Sequence, residues 1–334
     1  MMLYNIWNRR YTGSKYKLSN WIRELIINNC SGNSFCDMFA GTGIISYTML
    51  ENYKTIHLND ILFSNELIYK AFFYNSEYDM NKLINIKNYF NSVKINDDNY
   101  VSNNFGDKFF SINDARKIGY IREYLEINKS SLLDKEYYIL LASLIYSFDK
   151  IANTVGHYDA YIKNKEIKDK FEFNLITPYN TKMNNIIISR KYANELAISL
   201  NEDIIYIDPP YNSRQYSRFY HILENITMWK KPKLFGTALK PMPENMSDYC
   251  RSSAKKEFND LIEKLNCKYI VVSYNNTYNS KSKSSENKIL YDDIISILNN
   301  KGKVKIFDKN YKFFNAGKTN FTNHKEFIFL VKVF

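Results

Sequence analysis

Five short apolar runs constrain most strongly what this chain can fold into. They are SFCDMFA (34–40), KTIHLND (54–60), NNIIIS (184–189), DIIYIDPPY (203–211) and KYIVVSYNN (268–276). Each has the shape of a buried strand, and the first, second and fourth stop at a glycine turn, an acidic residue or a proline pair. Stretches with helical spacing lie between them. Leu18, Ile22, Leu25 and Ile26 mark one over 16–29, and IISYTMLENY, ELIYKAFFYN and DDIISILNN mark others. Strands alternating with helices predict an open α/β sheet, and KVKIFD with EFIFLVKVF reads as a closing antiparallel pair. The rhythm breaks between about 76 and 184, where the chain is polar, rich in Asn and Lys, and interrupted by helical stretches such as EYYILLASLIYSF. That segment reads as an insertion between the second and third strands.

With 334 residues the chain can bury a large core as one domain with an insertion, or as two modest domains. No apolar run is long enough to span a bilayer. The N-terminal segment MMLYNIWNRRYTGSKYK has no apolar stretch before a small-residue cleavage site, so no signal peptide is expected. Cys30, Cys36, Cys250 and Cys267 form no CxxC pair, which argues against a zinc site or a disulfide framework and for a reduced, cytoplasmic setting. The net charge of +11 fits attraction to nucleic acid, but it also fits the Lys, Asn, Ile, Tyr and Phe bias of AT-rich codons. The charge is informative only where it agrees with a motif.

The motif with the most chemistry is Asp208-Pro209-Pro210-Tyr211, at the carboxyl end of a strand, where open α/β sheets bind ligands. Two prolines stiffen the loop and remove two N–H donors. A carboxylate, a free carbonyl and an aromatic ring are then held close together. That set suits the amino group of adenine, whose lone pair is delocalised into the ring. The Asp208 carboxylate and the Pro209 carbonyl can accept its two N–H bonds and favour a more tetrahedral nitrogen as an electrophile arrives. Tyr211 is expected to stack on an extruded base. A rigid turn with a solvated Asp is the plain structural alternative.

Two further elements point to a nucleoside ligand. In DMFAGTG (37–43) a strand ends, Gly41 and Gly43 allow close backbone approach, and a helix begins at Ile44. Asp60 ends the second strand, where an acid can accept both hydroxyls of a ribose or simply cap the next helix.

The order of glycine turn, acidic strand end, insertion and DPPY resembles the Dam-type (D12 class) adenine-N6 DNA methyltransferases. Tyr11-Thr12-Gly13-Ser14-Lys15 is similar to that family's N-terminal aromatic-x-Gly-Gly-Lys element, with Ser14 in place of the second glycine. NSRQYSRFYHILEN (212–225) resembles the subset found beside restriction endonucleases. The resemblance implies an S-adenosylmethionine-dependent, Rossmann-like methyltransferase sheet over 1–75 and 185–334, with a mainly helical target-recognition region over 76–184. It implies S-adenosylmethionine as methyl donor and no metal. It implies cofactor-contacting positions at Tyr11, Lys15, Asp37, Phe39, Gly41, Gly43, Asp60 and Asp208, with Lys15 facing the methionine carboxylate. The third cofactor motif usually carries Asp, and Asn194 is the candidate here. Asp208, Pro209 and Tyr211 would serve the base.

DNA contacts are expected from Arg214, Gln215, Tyr216 and Arg218, directly after DPPY. A basic zone of Lys230, Lys231, Lys233, Lys240, Arg251, Lys255 and Lys256 could meet phosphates, as a solvated face would equally provide. HYDAY (157–161) offers aromatics among polar groups. The implied partner is double-stranded DNA, methylated by a monomer whose companion endonuclease acts separately. An RNA adenine methyltransferase and a non-catalytic nucleic-acid-binding protein on the same fold are the alternatives. No cysteine follows a proline, as a cytosine-C5 enzyme requires, and Asp208 stands where cytosine-N4 enzymes usually carry Ser. His57, His157, His221 and His324 are scattered and read as structural or surface residues.

Overall fold

The computed structural model describes residues 3–278, 283–311 and 324–334. The chain forms two compact units: Met1–Ser14, Leu62–Lys182 and Ser217–Glu244 make one, while Lys15–Ile61, Met183–Tyr216 and Asn245–Phe334 make the other.

The second unit carries the sheet. Its strands are β1 (Ser34–Asp37), β2 (Thr55–Asn59), β3 (Asn185–Ser189), β4 (Ile204–Ile207), β5 (Tyr269–Asn275), β6 (Gly302–Asn310) and β7 (Lys325–Val333). All five apolar runs are therefore strands, and the closing pair is antiparallel. The spatial order is β3-β2-β1-β4-β5-β7-β6. β1 to β5 run parallel, and β7 runs antiparallel to both of its neighbours. The order reverses between β1 and β4, which sets the switch point at the carboxyl ends of those two strands. Two consequences follow from β7 alone. It buries the apolar FIFLV run between two strands, and it brings its first residues to the carboxyl edge of the sheet, where Glu326 lies opposite Asn275.

Helices of this unit are α1 (Ser19–Asn29), α2 (Ile44–Met49), α8 (Ala193–Leu196), α11 (Ala254–Lys264) and α12 (Tyr291–Asn299). Phe258, Leu261 and Ile262 of α11 and Ile294 and Leu298 of α12 share a core with Cys36, Ile205, Ile207, Ile270 and Val272. Truncating a ring such as Phe258 there should cost about 3–5 kcal/mol. The helix expected over 44–53 stops at Met49. The Asn184 side-chain amide donates to the Leu50 and Tyr53 carbonyls at 2.8 and 2.9 Å, so a residue far along the chain holds the turn that follows the helix.

The other unit is helical: α3 (Phe63–Phe73), α4 (Met80–Ser92), α5 (Tyr100–Phe105), α6 (Ile112–Ile127), α7 (Asp134–Ile151) and α10 (His221–Met228), with α9 (Tyr216–Phe219) at the passage from one unit to the next. α7 is buried from Tyr137 to Asp149 save Tyr138, and α3, α6 and α10 pack around it. The N-terminal segment belongs here: Arg10 N–H donates to the buried Asp149 carboxylate at 2.9 Å. This unit is larger than residues 76–184, because α3 and 217–244 pack into the same core. No helix of the described residues is long and apolar enough to cross a membrane.

Candidate functional site

The site is built from strand ends of the sheet unit. After β1 the chain turns through Gly41 (φ 52°) and Gly43 (φ 77°), left-handed conformations that glycine adopts without a Cβ clash. Asp37 points inward, not toward the turn's surface. It is 1 % exposed and accepts from Ser46 N–H at 3.3 Å and Ser46 Oγ–H at 2.8 Å, so it holds the first turn of α2. Burial pushes its carboxyl up to about 7; the Ser46 bonds oppose this, and Asp208 and Asp60 reinforce it. Phe39 packs edge-to-face on Tyr249 at 5.1 Å. Asp60, half-buried after β2, accepts the Gly41 N–H at 3.0 Å. Asn59, fully buried, donates to the Met38 and Lys191 carbonyls and accepts from Ser189 and Lys191, tying together the ends of three strands.

The DPPY loop leaves β4 into a buried polar cluster. Lys15 Nζ lies 3.0 Å from Asp208 Oδ1 and 3.3 Å from Glu326 Oε1, and donates to the Tyr211 hydroxyl oxygen at 2.9 Å. The Tyr211 hydroxyl reaches both Asp208 Oδ1 and, at 2.8 Å, Glu326 Oε1. Ser273 donates to Glu326 at 2.7 Å. Burial lifts the Asp208 carboxyl above its usual range; Lys15 pulls it down and Glu326 pushes it up. Burial works against the Lys15 ammonium, but the two carboxylates outweigh it and hold it above the usual lysine value. The Tyr211 ring lies on Tyr274 (centroids 4.4 Å apart) and under the Lys15 ammonium. Its hydroxyl is thus turned into the cluster. Asp208 Oδ2 carries no hydrogen bond among the described residues, and the side chain remains 16 % exposed. Pro209 is buried, and no described donor reaches its carbonyl.

Other expected site residues lie elsewhere. Tyr11 belongs to the helical unit, stacked on Tyr220 with centroids 4.9 Å apart and covered by the Arg9 guanidinium. The Asn194 amide donates to the Glu257 carbonyl and Asp260 and accepts from Tyr249, so it joins α8 to α11. Gln215 exchanges two hydrogen bonds with the Ser247 backbone, and Arg214 donates to Ser285 at 2.7 Å. Tyr216 opens α9 half-buried, and Arg218 donates to the Pro241 carbonyl at 2.6 Å. Much of the basic zone is paired with acids: Lys230 with Glu244, Lys231 with Glu123, Lys240 with Asp159, Arg251 with Asp248 and Lys255 with Asp293. Within HYDAY, Tyr158 is buried on Asp149 and His157 stacks on Phe219. His57 is fixed between Glu202 and Ser189, and burial drives His221 down to about 3. Among the described residues no three His, Cys, Asp or Glu side chains gather as a metal site would require.

Sequence reasoning missed Asn59, Ser273 and Glu326. Asn59, beside Asp60, could have been read as a strand-end amide. Ser273 and Glu326 sit inside apolar runs and gave a signal only as polar residues in buried strands.

A seven-stranded sheet of this order, with a glycine turn, an acid after β2 and DPPY after β4, is the Rossmann-like methyltransferase sheet that the sequence predicts. The profile of the D12 class N6 adenine-specific DNA methyltransferases matches residues 11–306, and the chain belongs to that family. It is 33 % identical to Type II methyltransferase M.FokI of Planomicrobium okeanokoites, over 97 % of this chain and 52 % of that protein. It is 33 % identical to modification methylase StsI of Streptococcus sanguinis, over 80 % of this chain and 44 % of the relative. The chain thus spans about half the length of these two curated relatives. Against Type II methyltransferase M.NlaIII of Neisseria lactamica the identity is 31 %, over 94 % of this chain and 95 % of the relative.

Proposed function

We propose that this chain transfers a methyl group from S-adenosylmethionine to N6 of adenine at specific sites in double-stranded DNA. In this reading it is the modification arm of a restriction-modification system, a cytoplasmic monomer whose cognate endonuclease acts separately. The observation that carries the reading is the asymmetry of Asp208: one oxygen is anchored by Lys15 and Tyr211, and the other has no donor among the described residues.

Asp60 would hold the cofactor's ribose hydroxyls, the Gly41–Gly43 turn would take its backbone approach, and Lys15 would face the methionine carboxylate. Asp37 and Phe39 shape that turn, and Asn194 and Tyr11 are the remaining candidates for cofactor contact. One ammonium against two carboxylates leaves the Lys15 cluster net negative, which suits a cationic ligand. When bound, the cofactor supplies the methyl group as an electrophilic sulfonium substituent. Asp208 Oδ2 accepts one N–H of the adenine amino group and the Pro209 carbonyl the other, and both bonds strengthen as the nitrogen becomes tetrahedral and positive. Its raised proton affinity equips Asp208 to take the proton released. Tyr211 holds Asp208 through its hydroxyl while its ring packs on Tyr274, and Arg214, Gln215, Tyr216 and Arg218 would contact DNA.

The test is single-turnover methylation of matched DNA and RNA duplexes, with the modified base located by single-molecule sequencing. Asp208→Ala should abolish transfer while weakening S-adenosylmethionine binding far less. Near-native transfer by that variant would overturn the mechanism, and preference for the RNA duplex would overturn the substrate.

A further inference from the structure

Glu326 stands in the cluster without a role in the chemistry described so far. It is 2 % exposed at the start of β7. Its Oε1 takes the same two donors as Asp208 Oδ1, Lys15 at 3.3 Å and the Tyr211 hydroxyl at 2.8 Å, and adds Ser273 at 2.7 Å. We propose that Glu326 is a positioning residue for methyl transfer: by dividing Lys15 and the Tyr211 proton with Asp208, it keeps the Asp208 carboxylate from being neutralised and so a strong acceptor for the adenine amino group.

The donor count supports this. A phenol carries one proton, and Lys15 already donates to the Tyr211 oxygen. Tyr211 can therefore serve only one of the two carboxylates at a time. The ammonium likewise sits between two anions. A neutral Gln at 326 would still accept from Ser273 and Tyr211, so hydrogen bonding does not require the charge. What the charge changes is electrostatic: a second buried carboxylate opposes neutralisation of the first by the shared cation. Among the described residues, the titratable groups facing Asp208 are Lys15, Glu326, Tyr211, Tyr206 from its own strand and Asp37 from β1; Tyr311 and His324 face its partners Glu326 and Lys15, and burial holds the His324 ring below its usual value. Only Lys15 among them is cationic.

The inference rests on Asp208 acting on the amino group. Without the Glu326 charge, Lys15 pairs fully with Asp208 and a like charge disappears, so the Asp208 carboxyl titrates at lower pH. The test compares the wild type with Glu326→Gln and Glu326→Asp by two readouts. One is the single-turnover rate against pH; the other is the carboxyl titration of Asp208 followed by 13C NMR, assigned with Asp208→Asn. Glu326→Gln should slow transfer by about ten-fold and move both the acid limb and the Asp208 titration down by about one pH unit. S-adenosylmethionine affinity should change by less than about three-fold. Glu326→Asp, which keeps the charge, should restore much of the rate and both titrations. A wild-type rate and pH profile in Glu326→Gln would overturn the proposal. So would a slowed variant whose Asp208 titrates as in the wild type, since Glu326 would then act only through packing. If the wild-type protein methylates no adenine, the functional reading fails on its own, while the titration still decides whether Glu326 sets the charge of Asp208.

Discussion

The Asp60 carboxylate accepts the Gly41 N–H at 3.0 Å, so the acid that ends β2 is tied to the glycine turn that ends β1. A residue expected to bind ribose thus also holds the turn that the ligand must approach. Asp60→Ala should weaken S-adenosylmethionine binding by about 1.5–3 kcal/mol, the value of a charge-assisted hydrogen-bonding group. Asp60→Asn keeps an acceptor for Gly41, so it should preserve the turn and still lose affinity. Equilibrium titration separates the two roles. Unchanged affinity in both variants would leave Asp60 as a loop tie alone.

Lys15 is the only cation paired with Asp208 and Glu326 among the described residues. Lys15→Met leaves two buried carboxylates uncompensated and should destabilise the protein by about 3–5 kcal/mol. Removing the ammonium takes away the group that pulls the Asp208 carboxyl down, so its folded-state proton affinity rises further above the unfolded value. The variant is therefore least impaired at acid pH, and its deficit grows as pH rises through the raised value. Adding Glu326→Gln should recover part of the loss. Denaturant unfolding of the four proteins of this cycle at acid and alkaline pH measures both effects, and a deficit independent of pH would count against the charge account.

The strands were legible because buried parallel strands are apolar on successive residues, and the glycine turn and DPPY were legible because their residue types permit little else. The cluster around Asp208 was half legible. Lys15 and Asp208 follow from motif order, but Glu326 does not, because EFIFLVKVF reads as an apolar strand with an acid at its rim. Only the antiparallel direction of β7 places that rim beside the active strand ends. The end of α2 was illegible for a related reason: Asn184, which ties down the Leu50 and Tyr53 carbonyls just past the helix, is remote in sequence. Asn194 was read from motif position alone, whereas its bonds to Glu257, Asp260 and Tyr249 depend on where α11 packs.

Asp37 predicts a pH dependence of stability. Burial lifts its folded-state carboxyl from 3.8 to about 7, so the folded protein binds a proton that the unfolded chain releases. Its contribution is fully present below the unfolded value and is lost as pH rises through about 7. Asp37→Asn retains an acceptor for Ser46 and removes the titration. It should unfold with a flatter pH dependence, gaining on the order of 2–4 kcal/mol over the wild type at alkaline pH relative to acid pH. Parallel pH-dependent curves for the two proteins would show that Asp37 stays ionised.

Sequence specificity is expected to lie in the helical unit, and base chemistry in the sheet unit. Asp208, Lys15, Asp60 and the Gly41–Gly43 turn all belong to the sheet unit. The helical unit has a core of its own, with Phe90, Phe105, Ile121, Ile139 and Leu144 fully buried, so its surface can vary without unfolding it. Reading bases takes polar side chains presented to groove edges, and the stretch from 76 to 184 is rich in Asn and Lys. The test is a chimera with a related methylase of different specificity, and the structure sets its boundaries. Arg122 in α6 donates to the Ile226 carbonyl at 2.6 Å, and Glu123 accepts from the Trp229 indole at 2.9 Å. Exchanging 76–184 alone would remove Arg122 and Glu123 and leave the Ile226 carbonyl and the Trp229 indole without these partners, at a cost of about 1–3 kcal/mol for each buried group. Met1–Ser14, Leu62–Lys182 and Ser217–Glu244 should therefore be exchanged together. The chimera should fold, transfer methyl groups at a similar rate and modify the donor's sites when the product DNA is sequenced. An active chimera that still modifies the original site would place recognition in the sheet unit, in the segment carrying Arg214 and Gln215 or the one carrying Arg251 and Lys255.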